Sequence, residues 1–162
     1  MPQESNRSES EQWQRKFAMS CNNRAWELSV QIRSPAQDRE LLSVAHASAW
    51  HWAQVGTELH RMRATMLLAE VHALLGLGPS AFAFASEMRD YFLGKDTPDW
   101  EIGFTQAIYA HAAWAAGNTQ EHQSGYLKAA AAIGQIADAE DRALVAKTFA
   151  HVPVPRSATD PR

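Results

Sequence analysis

Cysteine is almost absent from this chain, which contains only Cys21 among its 162 residues. A single thiol excludes an intramolecular disulfide and is typical of a cytoplasmic protein. Residues 1–15 lack the apolar region of a secretory signal. The most apolar stretch, residues 62–77, is interrupted by Arg63, Glu70 and His72, and it is shorter than the roughly 20 apolar residues of a membrane span. We therefore predict a cytoplasmic protein without a membrane segment.

An excess of basic residues is also missing. The chain has 15 Lys and Arg against 18 Asp and Glu, a formal net charge of −3 and a pI of about 6.1. Nucleic-acid-binding domains usually have a basic stripe or a pI above about 9, so binding to a phosphate backbone is not expected. Hydrophobic residues make up 46% and charged residues 20%, which is typical of a globular domain with a proper core.

Alternating apolar and polar residues, the pattern of a β-strand, do not occur over any convincing length. The apolar spacing and the turn signals instead predict an all-α fold of about seven antiparallel helices. The predicted helices are residues 11–31, 34–55, 58–75, 80–93, 99–116, 120–136 and 138–149. We predict a disordered lead-in over residues 1–10, a single helical-repeat domain over 11–151, and an extended proline-containing tail over 152–162.

Helix ends are marked by caps and by glycine. Ser34 and Thr97 each precede a proline and an acidic first turn, so both are predicted to cap the helix that follows. Gly56 is predicted to end the second helix in the left-handed conformation, with Thr57 capping the third helix at once. The residue pair 22–23, both asparagine, is a predicted interruption of the first helix.

An alanine lies seven residues before each of three glycines that end predicted helices. The pairs are Ala49 with Gly56, Ala69 with Gly76, and Ala110 with Gly117. A small side chain at this point lets a neighbouring helix approach closely. The Gly76 and Gly117 turns also share their context, because each ends the first helix of a candidate hairpin. The chain therefore contains a repeated Ala-to-Gly spacing, and 41 residues separate its two clearest copies.

This layout resembles that of tetratricopeptide-repeat proteins, in which a small residue at the helix contact precedes a glycine turn and an early alanine in the second helix. Ala81 and Ala85 supply that alanine after Gly76, and Ala129 fits in the second unit, but His122 stands at its early alanine position. The 41-residue spacing also exceeds the family's usual 34. The resemblance covers about residues 57–136. It implies a right-handed superhelix of helical hairpins that binds a protein or peptide in its groove.

The spacing of the histidines does not support a metal site. His46 and His51 are five residues apart, about 140° around a helix, and no HxxxH, HExxH or ExxH pattern occurs. Cys21 lies among polar residues, and the chain has no glycine-flanked serine elbow and no phosphate-binding glycine loop. We therefore predict no metal, no cofactor and no catalytic residue.

Two groups of residues remain as candidates for binding. His46 and Trp50 are four residues apart on the second helix and form a candidate recognition surface, unless the tryptophans only fill space in the core. Arg61, Arg63 and Glu70 on the third helix are candidate binding residues, with the arginines placed to hold a ligand carboxylate, unless Arg63 simply pairs with Glu70. His111 on the fifth helix is a candidate groove residue or a core histidine. 

The favoured function is a non-enzymatic module that binds a protein or peptide, or self-associates, through a groove lined by helices two, three and five. The alternative is a small-ligand-binding protein or metal-dependent enzyme that uses His46, His51, Glu70 and His111 in a helical bundle. A third hypothesis is a structural homodimer in which the first or the seventh helix packs across a two-fold axis.

Overall fold

The computed structural model describes residues 2–156, with side chains from Ser8 onward. Its helices are α1 (Pro2–Ser29), α2 (Pro35–Val55), α3 (Glu58–Leu74), α4 (Gly78–Leu93), α5 (Asp99–Ala115), α6 (Thr119–Gln135) and α7 (Ala139–Phe149). No strand occurs in this part of the chain, so the prediction of an all-α fold with seven helices is confirmed. None of the helices described combines the length and the apolar character needed to cross a bilayer.

The N-terminal part of the chain differs from the prediction. α1 begins at Pro2, so residues 2–10 are helical where a disordered lead-in was predicted. α1 also passes through Asn22 and Asn23 without a break, because its contacts with α2 and α3 outweigh the low helix propensity of asparagine. Residues 152–156 are non-helical, and the rest of the predicted tail, residues 157–162, lies outside the described residues.

The helices form hairpins that stack in sequence order. α1 packs on α2, α3 on α4, and α5 on α6. The odd-numbered helices also contact one another in turn, whereas no even-numbered pair is in contact within residues 2–156. The structure therefore has one layer made of α1, α3, α5 and α7, and a second layer made of α2, α4 and α6.

The predicted caps are partly confirmed. Ser34 and Thr57 each accept a hydrogen bond from the backbone N–H three residues later, in capping boxes completed by Gln37 and His60. The prediction for Thr97 is wrong, because its hydroxyl donates to the carbonyl of Phe92 and α5 begins after Pro98 without a side-chain cap.

Gly56 ends α2 as predicted, but it does not adopt the predicted left-handed conformation. Gly56 has a φ of −81°, which any residue adopts. Its requirement for glycine is one of space, since a Cβ there would lie 2.6 Å from the carbonyl oxygen of Trp52 and 2.9 Å from the Cβ of His60. The tight link between α2 and α3 therefore depends on close approach and not on a left-handed backbone.

Gly76 and Gly117 end α3 and α5 in the same way. Their φ angles are +71° and +73°, and each turn has the two backbone hydrogen bonds of a Schellman motif. Leu77 N–H donates to the carbonyl of His72 at 2.8 Å, and Asn118 N–H donates to that of Ala113 at 2.9 Å. The two clearest copies of the repeated Ala-to-Gly spacing thus end in turns with the same backbone geometry.

The core lies where the hairpins stack. Its largest cluster joins α3, α4 and α5 and reaches α7 through Val145. Ala69 and Ala110, the alanines seven residues before these two glycines, are completely buried. On α6, a Cβ at Gly125 would lie 3.2 Å from the Cα of Ala110, so α5 and α6 are in close contact there. The small residues therefore set the distances between helices.

Candidate functional site

A pocket of about 370 Å³ lies between α1, α3, α5 and α7, and we refer to it as the odd-helix pocket. Its lining residues are Asn22, Trp26, Val30, Arg63, Met66, Trp100, Glu101, Phe104, Leu144, Lys147 and Thr148. Since α2 contributes none of them, the odd-helix pocket differs from the predicted groove of helices two, three and five.

Aromatic rings form much of the wall of the odd-helix pocket. Trp26 of α1 lies against Phe104 of α5 with ring centroids 5.6 Å apart. Phe104 also makes an edge contact with Trp100, at 6.2 Å between centroids. Val30, just after α1, and Leu144 of α7 are 46% and 52% exposed, so apolar surface remains available to a ligand.

An ion pair completes this wall. Arg63 of α3 donates from Nε to Oε1 of Glu101 at 2.7 Å and from Nη2 to Oε2 at 3.2 Å, a bidentate geometry. Glu101 is 2% exposed, so Arg63 balances a buried carboxylate. The guanidinium also lies 5.4 Å from the ring centroid of Trp100, which holds that ring in place.

A second buried carboxylate lies further along the same helices. Glu70 follows Arg63 by seven residues, about 10 Å along α3. Its Oε2 is 3.0 Å from Nδ1 of His111 on α5, and its Oε1 is 3.3 Å from Nδ1 of His151 just after α7. Glu70 is completely buried and His111 is 3% exposed. This Glu70 cluster of three side chains joins α3, α5 and the end of α7.

The pKa of Glu70 shows which form of the side chain the cluster favours. Burial by itself raises the pKa of this carboxyl, but the charge and hydrogen bond of His111, with those of His151, outweigh it and leave the pKa lowered. The ionised carboxylate is therefore the stable form in the folded chain. Its position suits a structural link, because both oxygens are already bonded to imidazole nitrogens.

A chain of three polar side chains crosses from α2 to α4. Nε2 of His46 is 3.0 Å from Nε2 of His72, and Nδ1 of His72 is 2.6 Å from Oγ of Ser80. Burial lowers the pKa of His72, and the neighbouring His46 lowers it further, so His72 favours its neutral form. A neutral imidazole has one donor and one acceptor nitrogen and therefore fits between these two partners.

The residues predicted to bind on helix three are separated by the fold. Arg63 lines the odd-helix pocket, and it pairs with Glu101 where the sequence suggested Glu70. Arg61 is exposed, and its Nη1 donates to the carbonyl of Gly56 at 3.0 Å. Arg61 therefore stabilises the turn between α2 and α3 and does not line the pocket.

The other predicted residues lie elsewhere. His46 is directed at His72, and the ring of Trp50 contacts that of His51 with centroids 5.0 Å apart. Glu70 and His111 are paired with each other inside the core. The four residues of the enzymatic alternative, His46, His51, Glu70 and His111, thus fall into three separate clusters. Where side chains are described, no group of three or more His, Cys, Asp or Glu residues is placed to hold a metal ion.

Several pocket residues were not selected from the sequence as binding residues. They are Trp26, Trp100, Glu101 and Phe104. A signal was present, because the aromatic residues are more numerous than one buried stripe needs. The sequence does not show that the odd-numbered helices contact one another, and these contacts bring the four side chains to one pocket.

No family model matches this chain, and comparisons with curated proteins and with solved structures also find no match.

Proposed function

We propose that this protein is a non-enzymatic, tetratricopeptide-like helical module of the cytoplasm that binds a protein or peptide partner in the odd-helix pocket. The observation that carries the proposal is the apolar pocket of about 370 Å³ with Trp26, Trp100 and Phe104 in its wall. Ligand pockets start at roughly 300 Å³, so this one accepts a single large side chain. Aromatic residues in such pockets are the usual anchors of protein interfaces.

The charges at the pocket favour a partner with an acidic residue beside its apolar anchor. Arg63 is neutralised by Glu101, whereas Lys147 is exposed and has no carboxylate of the described residues within ion-pair distance. An acidic residue next to the anchor gains attraction from Lys147 without disturbing the buried pair. Such a contact at the edge of the pocket contributes selectivity and association rate more than affinity.

A random peptide library displayed on phage and selected on the purified chain tests this proposal. We expect enriched peptides to share an aromatic or large aliphatic residue with Asp or Glu nearby. Titration of a selected, fluorescently labelled peptide then measures Kd for each variant by fluorescence anisotropy. Leu144→Arg places a long charged side chain at the pocket and is expected to weaken binding at least roughly tenfold.

Leu127→Arg is the matched control, because Leu127 is 70% exposed on α6 and lies outside the odd-helix pocket. This variant carries the same change of charge and is expected to bind the peptide as the wild type does. Equal affinity of both variants, or a selection that enriches no peptide, would contradict the proposal. Circular dichroism of both variants confirms that their helices are intact.

A further inference from the structure

The first hairpin of the stack has a cluster of exposed aromatic rings on its outer side. Trp13 stacks on Phe17 with centroids 5.8 Å apart, Phe17 lies 5.5 Å from His51, and His51 contacts Trp50. Trp13 and Phe17 are each 47% exposed and Trp50 is 57% exposed. Lys16 lies over the ring of Trp13 at 4.6 Å. We call this surface, formed by Trp13, Lys16, Phe17, Trp50 and His51, the aromatic edge.

The aromatic edge is separate from the odd-helix pocket. Trp13 and Trp26 are thirteen residues apart, which places them about 140° apart around α1. α3 is the third helix that packs on this hairpin, and it meets α1 on the core side at Ala18. No other helix in residues 2–156 packs on α1, so the outer side of the first hairpin has no partner in the chain described.

The size of the aromatic edge is unusual for a surface without a partner. A large aromatic side chain has about 150–250 Å² to bury, so three rings exposed by about half leave roughly 300 Å² of apolar surface in one place. That is comparable to the largest apolar patch on a typical monomer, and such patches are often functional. The end units of helical repeat stacks usually present polar outer faces, which this end does not.

The order of the charged residues along α1 indicates which partner would bind the aromatic edge. Glu9, Trp13, Lys16 and Phe17 have the spacing i, i+4, i+7 and i+8, so they share one side of the helix. If two copies of α1 cross antiparallel at Trp13, Glu9 of each copy lies beside Lys16 of the other. A parallel arrangement instead opposes like charges. The surface is thus complementary to itself under a two-fold rotation, as an isologous interface requires.

We propose that the aromatic edge is the interface of a homodimer in which α1 pairs antiparallel with α1 of a second copy, with Trp13 at the two-fold axis. The aromatic rings form the centre of this interface and the two pairs between Glu9 and Lys16 fix its register. A stable interface buries about 800 Å² on each partner, so the rings need further contacts along α1. α1 has 28 residues, about 42 Å of helix, and supplies that length.

Sedimentation velocity of the full chain across a dilution series tests the proposal. We expect a concentration-dependent monomer–dimer equilibrium for the wild type. Trp13→Arg is expected to raise the dimer Kd at least roughly thirtyfold, the effect of losing a central anchor. Leu127→Arg, an equally charged change on the exposed side of α6, is expected to leave the Kd unchanged.

A charge-reversal series tests the register. Glu9→Lys alone and Lys16→Glu alone each place like charges across the axis and are expected to weaken the dimer by about threefold to tenfold. The double variant restores both pairs and is expected to recover the wild-type Kd. Within one helix, residues 9 and 16 are about 10 Å apart, so recovery reports on contact between copies.

Three outcomes would overturn the proposal. If the wild type stays monomeric at every concentration, the chain forms no homodimer. If Trp13→Arg still dimerises as the wild type does, the interface lies elsewhere. Failure of the double charge reversal to recover the dimer excludes the antiparallel register. Because the aromatic edge and the odd-helix pocket are on different sides of α1, peptide binding by Trp13→Arg shows separately whether the function proposed for the pocket holds.

Discussion

At the scale of single residues, Glu70 is a buried charge that constrains how three segments of the fold pack together. It is a completely buried carboxylate, and it is held by His111 from α5 and His151 from the end of α7. A buried carboxylate is expensive unless it is paired, so removal of any member leaves a polar group without its partner. Sequence spacing could not reveal this cluster, since 41 and 81 residues separate Glu70 from the two histidines.

Replacement of Glu70 by alanine is expected to lower the free energy of unfolding by about 3 kcal/mol or more, because His111 is left buried without its partner. Urea denaturation followed by circular dichroism measures this change. Glu87→Ala on the exposed side of α4 is the control and should stay within about 0.5 kcal/mol of the wild type. A similar loss in both variants would mean that the Glu70 cluster contributes nothing specific.

Stability is also expected to depend on pH through Glu70. The folded chain lowers the pKa of Glu70, so its ionisation contributes stability that is fully present above the unfolded pKa of about 4.3 and is lost as the pH falls through the folded pKa. The difference in free energy of unfolding between wild type and Glu70→Gln should therefore hold its full value above about pH 5 and shrink as the pH falls below about 4. A difference that stays constant down to the most acidic pH at which the chain folds would contradict this assignment.

At the scale of elements, the two Schellman turns at Gly76 and Gly117 define the unit of the stack. Each reverses the chain between the two helices of a hairpin, and each needs a positive φ that only glycine adopts without strain. Space is not the constraint here, since a Cβ at either position would meet no atom within 4 Å. The cost of a substitution at either turn is therefore a measure of backbone conformation alone.

Alanine at Gly76 or Gly117 is expected to destabilise the chain by about 1 kcal/mol, the cost of a left-handed non-glycine residue. Gly134→Ala is a matched control with the opposite sign. Gly134 lies within α6, and a Cβ there also meets nothing within 4 Å, so alanine is expected to stabilise by roughly 0.5–1 kcal/mol. Thermal unfolding of the three variants checks this ordering, and a destabilised Gly134→Ala would contradict it.

At the scale of the whole molecule, α7 closes one side of the odd-helix pocket. Its backbone packs on α5 and α6, whereas its link to α3 is made by the side chain of His151 on Glu70. The segment beyond it is also held in place, because His122 bonds to the carbonyl of Pro153 at 2.7 Å and Val152 is 4% exposed. The position of α7, and with it the width of the pocket, therefore depends on contacts made just after the helix ends.

His151→Ala is expected to increase amide hydrogen exchange in α7 by roughly tenfold, because it breaks a hydrogen bond to a charged group. Exchange in α2 should not change, since α2 has no contact with α7 among the described residues. Lys147→Ala, an exposed change on α7 itself, provides the control. Equal exchange in both variants would show that the bond to Glu70 does not hold α7.

Much of this architecture was predictable because it depends on local chemistry. The capping boxes at Ser34 and Thr57, the positive-φ turns at Gly76 and Gly117, and the absence of a strand pattern act within a few residues of sequence. Failures arose where distant segments intervene. Asn22 and Asn23 stay helical because α1 packs on α2 and α3. The error at Gly56 is of another kind, because glycine is required there by the carbonyl of Trp52, four residues earlier, and not by its own φ.

Sequence alone determined the seven helices, their order and the two matching turns at Gly76 and Gly117, because helix periodicity and turn chemistry are local. Tertiary structure alone decided which side chains meet. It paired Arg63 with Glu101, placed Glu70 between two histidines, and brought α1 rather than α2 to the pocket. The physical reason is that the spacing along one helix fixes which way a side chain points, whereas its partner depends on how the hairpins stack.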